Sequence, residues 1–228
     1  MGSVPVLPMF PLGSVLLPSV FLPLHLFEPR YRQLIRDCLD GDRDFGVVLI
    51  ERGSEVGGGD VRADVGTVAH VMEAHELDDG RWAVGAVGTR RFRVLRWLDD
   101  DPYPRAEVED WDDPDASDQP GDGRAVPVDA DPPTELAAVV GTLRRVLALA
   151  SELGDDAADA TQELSPDPSL ASYQIAALSP IGPLDRQALL CVPGSAERLA
   201  RLAALLAEEE TFLNVRLGLD DLADPDRP

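Results

Sequence analysis

FPLGSVLLPSVFLPLHLFEPRYRQLIRDCL, residues 10–39, is the most apolar stretch of the chain. A secretory signal carries positive charge ahead of its apolar run; here the first basic residue, Arg30, comes behind it. A spanning helix needs about 20 unbroken apolar residues. Pro11, Pro18 and Pro23 interrupt this segment, each removing a backbone donor and blocking the preceding turn. The stretch is expected to be neither leader nor anchor, and its side chains belong inside a folded domain.

Around it the pattern is mainly that of strands. VPVLPMFPL (4–12) and VFLPLHLF (20–27) read as extended, with prolines that confine them to edges or strand starts. EPRYRQLIRDCLD (28–40) turns helical. Pro29 suits a first helical position, and Tyr31, Leu34, Ile35 and Cys38 share one face. FGVVLI (45–50) is a short buried strand, and residues 51–64 read as a mobile loop. GTVAHVMEAHEL and RWAVGAVG make a hairpin about Asp79-Gly80. TRRFRVLRWL (89–98) and RAEVEDW (105–111) complete seven strands, with Arg91 and Arg93 on one side of theirs and Phe92 and Val94 on the other. Seven short strands and one helix make a small barrel or sandwich.

The charge is unusual. The net charge is −22, and all 20 basic residues are arginine, with no lysine. An acidic surface disfavours binding to phosphate backbones. The absence of lysine excludes a Schiff base, a serine–lysine dyad and the lysine of a phosphate-binding loop. The Gly-rich GSEVGGGD (53–60) also lacks the Gly-Lys-Ser/Thr ending such a loop requires. Two well-separated cysteines suggest neither a disulfide framework nor a zinc site, and fit a reducing cytoplasm.

The acidity is concentrated in the second half. Residues 1–109 hold 12 Arg against 18 Asp and Glu, whereas residues 110–228 hold 8 against 24. The change coincides with DWDDPDASDQPGDGRAVPVDADPP (110–133), whose composition cannot bury enough apolar surface to offset ordering entropy. The expected organisation is a β domain at 1–112, a solvated linker at 113–132, a helical subdomain at 133–218 and an acidic tail at 219–228. In the helical part, Leu136, Val139, Val140, Leu143, Val146, Leu147, Ala150 and Leu153 form one stripe that Gly154 ends. Asp167 opens a second helix, residues 182–191 form a short third, and Ser195 opens a fourth that aligns Leu199, Leu202, Leu206 and Leu213.

Taken in order, LPMFPL, VLLP, LPLHLFEPRYRQLI and VGTVAHVMEAHELDDGRWAVGAVGTRRFRVL resemble the N-terminal domain of the Lon protease family. The correspondence includes the strand Gly66-Thr67-Val68-Ala69, the hairpin at Asp78-Asp79-Gly80, and the strand from Gly88 through Arg91-Phe92-Arg93-Val94. SYQIAALSPIGPLDRQALLCVPGSAERLARLAALL is similar to the helical part that follows in that family. The resemblance implies an α+β fold: an N-terminal PUA-like mixed β-barrel with one short helix, then a C-terminal α-helical bundle. In Lon proteases an ATPase and a serine–lysine peptidase come next. This chain ends where they would begin and lacks their lysines, so the expectation is a stand-alone, non-catalytic substrate-recognition domain.

No catalytic, metal-binding or cofactor residues are expected. His25, His70 and His75 are the only histidines, and His70 and His75, five apart on a strand, should face opposite sides. No Gly-x-Ser-x-Gly elbow is present. The resemblance links the end of the second strand and the start of the first helix to substrate contact, which here makes Phe27, Glu28, Arg30 and Tyr31 the candidate peptide-binding residues. Their aromatics fit a core role as well. Two functions stay open: recognition of unfolded or apolar peptide segments or of a partner protein, and a small-ligand or RNA-binding regulatory barrel using Arg90, Arg91, Arg93 and Arg96. Family likeness adds homodimerisation through the helices.

Overall fold

A computed structural model describes residues 4–52, 61–114 and 134–223. The Gly-rich loop at 53–60, nearly all of the expected linker and the last five residues lie outside the described residues. The chain divides into two compact units, one of Met1–Asp112 with Arg186–Cys191, the other of Asp113–Asp185 with Val192–Pro228.

The first unit is built on a mixed sheet of β1 (Val6–Leu12), β2 (Phe21–Leu26), β3 (Asp44–Arg52), β4 (Val61–Glu76), β5 (Trp82–Trp97) and β6 (Arg105–Asp110), with α1 (Pro29–Asp40) after β2. The order is β2-β5-β4-β3-β1-β6, and β5 also pairs with β6. Only β1 with β3 is parallel. The β5–β6 pairing closes β1, β3, β4, β5 and β6 into a barrel. β2 lies outside that ring, paired along residues 82–87 of β5.

Six strands stand where seven were expected, because 81–88 and 89–98 form the single strand β5. Gly88 suggests a break, but a Cβ there would run into the carbonyl of Leu17. Its smallness serves close packing inside a continuous strand. At Gly66 a Cβ would meet the Val47 carbonyl and the Phe92 ring. The β4–β5 loop is wider than a two-residue turn: the Leu77 N–H donates to the Arg81 carbonyl (2.8 Å), with Gly80 at φ 77°.

Alternation divides the buried side chains. Phe10, Leu26, Phe45, Trp82 and Val84 pack with the α1 face of Tyr31, Leu34, Ile35 and Cys38. Leu7, Met9, Val48, Val68, Phe92 and Val108 form a second cluster. β4 carries an irregularity between Val71 and Glu73. Val71 and Ala74 both turn to the core, so the extra residue brings His70, Glu73 and His75 onto the same outer face. The expectation that His70 and His75 face opposite sides is thereby corrected.

The second unit is helical: α2 (Thr134–Glu152), α3 (Pro168–Leu178), the start of α4 (Pro183–Leu190) and α5 (Ser195–Ala223). α2 buries Leu136, Val139, Leu143, Val146, Leu147 and Ala150, and Gly154 follows at φ 76°. The Asp167 carboxylate caps α3 by accepting from the amides of Ser169 and Leu170. α5 buries Leu199, Leu202, Leu206 and Leu213, and it continues through the first residues of the expected tail. Asp113, read as part of a solvated linker, is instead buried. Its carboxylate pairs with the fully buried Arg198 and accepts from Ser169 Oγ (2.6 Å) and Tyr173 Oη (3.3 Å).

Candidate functional site

The opening of the barrel unit lies where two strand edges are left without a neighbour. Among the described residues β2 pairs only with β5, and residues 10–12 of β1 pair only with β3. Leu24, His25 and Leu26 of β2 and Phe10, Pro11 and Leu12 of β1 line a hollow of about 150 Å³, completed by Phe27, Glu28 and Tyr31. The lining is mostly apolar.

Local sequence explains how the lip is formed. Glu28 is extended, Pro29 begins α1, and the Glu28 carbonyl accepts the Tyr31 amide at 3.1 Å and the Arg32 amide at 3.0 Å. The Glu28 carboxylate does not cap the helix; it accepts from Arg30 Nε at 2.9 Å. Arg30 also lies 4.5 Å above the Tyr31 ring. Tyr31 packs against Phe10 at 4.4 Å between centroids.

The four residues singled out by sequence therefore divide. Phe27 is 60% exposed and stands at the lip. Glu28 is half-buried and lines the hollow. Tyr31 is 6% exposed, a wall of the hollow and part of the core. Arg30 is not part of the lining; it braces Glu28 and Tyr31 from one side. Sequence reasoning missed Phe10, Pro11, Leu12, Leu24, His25 and Leu26. The signal that could have found them is the pair Pro11 and Pro23, since both prolines require an open edge.

The basic strand is committed internally. Arg90 pairs with Asp44 (3.1 Å) and Asp110 (2.9 Å), and Arg96 with Glu107 (2.5 Å). Arg91 is 3% exposed and donates to the Leu190 carbonyl. Arg91 and Arg93 both lie over Trp111, at 4.4 and 3.6 Å. Alternation sets Arg91 on the side away from Phe92, yet Arg91 is not in solvent, because the ring of Trp111 covers it. These contacts do not favour phosphate recognition by this strand.

Both cysteines are free. Burial, with help from Asp37 and Asp44, pushes the Cys38 thiol up to about 12. No group of three or more metal-ligating side chains is gathered among the described residues, and no described helix is long and apolar enough to cross a membrane. In the helical unit, a second concavity of about 530 Å³ lies between α2 and α5, with Val139, Leu199 and several alanines in its walls and Glu135 and Glu197 at its rim.

A barrel of this topology followed by helices matches a known class of domain. The family model of the ATP-dependent protease La (LON) substrate-binding domain matches residues 6–208, and the chain belongs to this family. Lon protease 2 of Herpetosiphon aurantiacus is 28% identical over 93% of this chain. The Lon protease of Anaeromyxobacter dehalogenans is 34% identical over 46% of the chain. The chain spans 24% of the length of the Herpetosiphon protein and 13% of the other. Among solved structures, a Lon N-terminal domain protein from Xanthomonas campestris superposes with a TM-score of 0.64 at 29% identity, covering 88% of this chain and 98% of that one. The N-terminal domain of a Mycobacterium avium complex Lon protease shares the fold, with a TM-score of 0.58 at 16% identity.

Proposed function

We propose that this chain is a non-catalytic protein- and peptide-recognition module that holds unfolded or apolar segments, or an exposed segment of a partner protein, and serves a protease as an adaptor. The observation that carries the reading is the apolar hollow between β1 and β2, with Phe27 exposed at its lip. A large aromatic held in water beside an apolar concavity makes a contiguous apolar surface, the kind that marks a recognition site. The absence of lysine fits a role without ATP hydrolysis or serine–lysine chemistry. Two free cysteines fit work in the reducing cytoplasm, and self-association through the helices is compatible with it. The small-ligand or RNA-binding alternative is less well supported, because the arginines it would use are paired or stacked.

A peptide array probed with the full-length chain at low and high salt tests this. Binding to apolar peptides that persists at high salt, and falls at least tenfold in Phe27→Ala, is the expected result. A blank array from cooperatively folded protein would overturn the reading.

A further inference from the structure

We propose that the hollow recognises its client by one apolar side chain and not by adding the client to the sheet as a strand; this rests on the peptide-binding reading above. An open sheet edge invites strand addition, in which main-chain hydrogen bonds supply the affinity. Both edges that border the hollow are open, so the backbone directions decide.

Alternate residues of a β2–β5 pair turn their N–H and C=O groups toward β5. The Gly88 amide donates to the Val20 carbonyl at 2.9 Å, so Leu22, Leu24 and Leu26 face β5, and Phe21, Pro23 and His25 face the open edge. The middle position of that edge is a proline. On β1, the Val108 amide donates to the Pro5 carbonyl (3.0 Å), and the Met9 amide donates to the Pro104 carbonyl (2.8 Å). Residues 5, 7 and 9 therefore face β6. Pro11 is the next residue on that side, opposite the hollow's other wall. Each edge has lost the donor that a regular ladder would need at its centre.

The size of the hollow completes the argument. About 150 Å³ corresponds to a cavity that accommodates one benzene-sized group. The client class is then any segment presenting one exposed aromatic or branched aliphatic residue, in a turn, at a helix end or in an unfolded chain. Prolines at any position flanking that residue are tolerated, whereas strand addition would forbid them at the alternate positions that pair.

The test uses the 12-residue peptide that binds most tightly in the array, synthesised with each residue replaced by alanine in turn and, separately, with each backbone amide N-methylated in turn. Affinity for the full-length chain is read by fluorescence anisotropy. One alanine position should lose at least tenfold, while N-methylation elsewhere changes affinity less than about threefold. Losses of about fivefold or more at alternate N-methyl positions, the size expected for ladder hydrogen bonds, would overturn the proposal. Pro23→Val supplies a second readout by restoring a donor to the β2 edge. Unchanged affinity supports a side-chain anchor, and a several-fold gain with alternate N-methyl losses already present in the unsubstituted chain would mean that clients do pair with this strand. If no array peptide binds at all, it is the underlying peptide-binding reading that fails.

Discussion

Phe27 and Tyr31 lie four residues apart in one apolar segment, yet one is solvated and the other is core. Phe27→Ala should change stability by no more than about 0.5 kcal/mol, as surface substitutions do. Tyr31→Ala should cost about 3–5 kcal/mol, because it removes a buried ring from contact with Phe10. Chemical denaturation of the two single variants checks both. Helical spacing with Leu34, Ile35 and Cys38 marks Tyr31 for the buried face of α1. Nothing local marks Phe27 as solvated, which follows because the chain is still extended at Glu28 and helical only from Pro29. Cys38 gives a pH prediction. Its thiol holds its proton up to about 12 when folded, against an ordinary 9.0. The stability this contributes is present below pH 9.0 and lost as pH rises toward about 12, since the unfolded state releases its proton first. Tyr103, raised by burial and its hydrogen bond to Asp37, adds loss of the same sign at higher pH. Melting temperature should fall across that window, and less steeply in Cys38→Val.

Among the elements, β5 binds the barrel unit together by pairing with β2, β4 and β6. Gly88→Ala should be strongly destabilising for its position on a strand, because the clash is with the Leu17 backbone and no rotamer can relieve it. Gly141→Ala in α2, where a Cβ would meet only the flexible end of Arg145, should be neutral or stabilising. Thermal melts of the two variants, shifted in opposite directions or shifted alike, decide whether close approach or backbone freedom sets the role of Gly88. Most elements could be read from hydrophobic period and caps; the stripe of α2, the cap of α3 and the buried face of α1 follow the sequence closely. The continuity of β5 and the irregularity in β4 were not readable. Both depend on what packs across the sheet, and a single sequence does not show the partner strand. The hollow was half legible: β2 and α1 supply residues of the segment singled out, whereas the β1 wall requires the barrel to close before it comes near.

At the scale of the whole molecule, the chain carries a net charge of −22, and its helical unit nevertheless encloses an ion pair. Arg198 and Asp113 are almost completely buried, and the guanidinium also donates to Ser172 Oγ at 2.7 Å and lies 3.8 Å from the Tyr173 ring. Removing one partner leaves a buried charge unpaired, so Arg198→Met should cost about 3–5 kcal/mol. Asp113→Leu combined with Arg198→Met should recover most of that loss, and denaturant midpoints of the single and double variants measure it. Composition placed Asp113 in a solvated acidic run, because a pairing across 85 residues leaves no local trace. The division of labour between a sheet unit and a helical unit was clearer, since the period of the apolar residues changes from strand-like to helical along the chain. The most direct test of the central claim is cross-linking of the full-length chain to an array-selected peptide carrying a photoreactive leucine analogue at its anchor position, mapped by mass spectrometry. The account predicts cross-links concentrated at residues 10–12 and 24–31. Cross-links confined to α2 and α5, or spread over the surface, would contradict it.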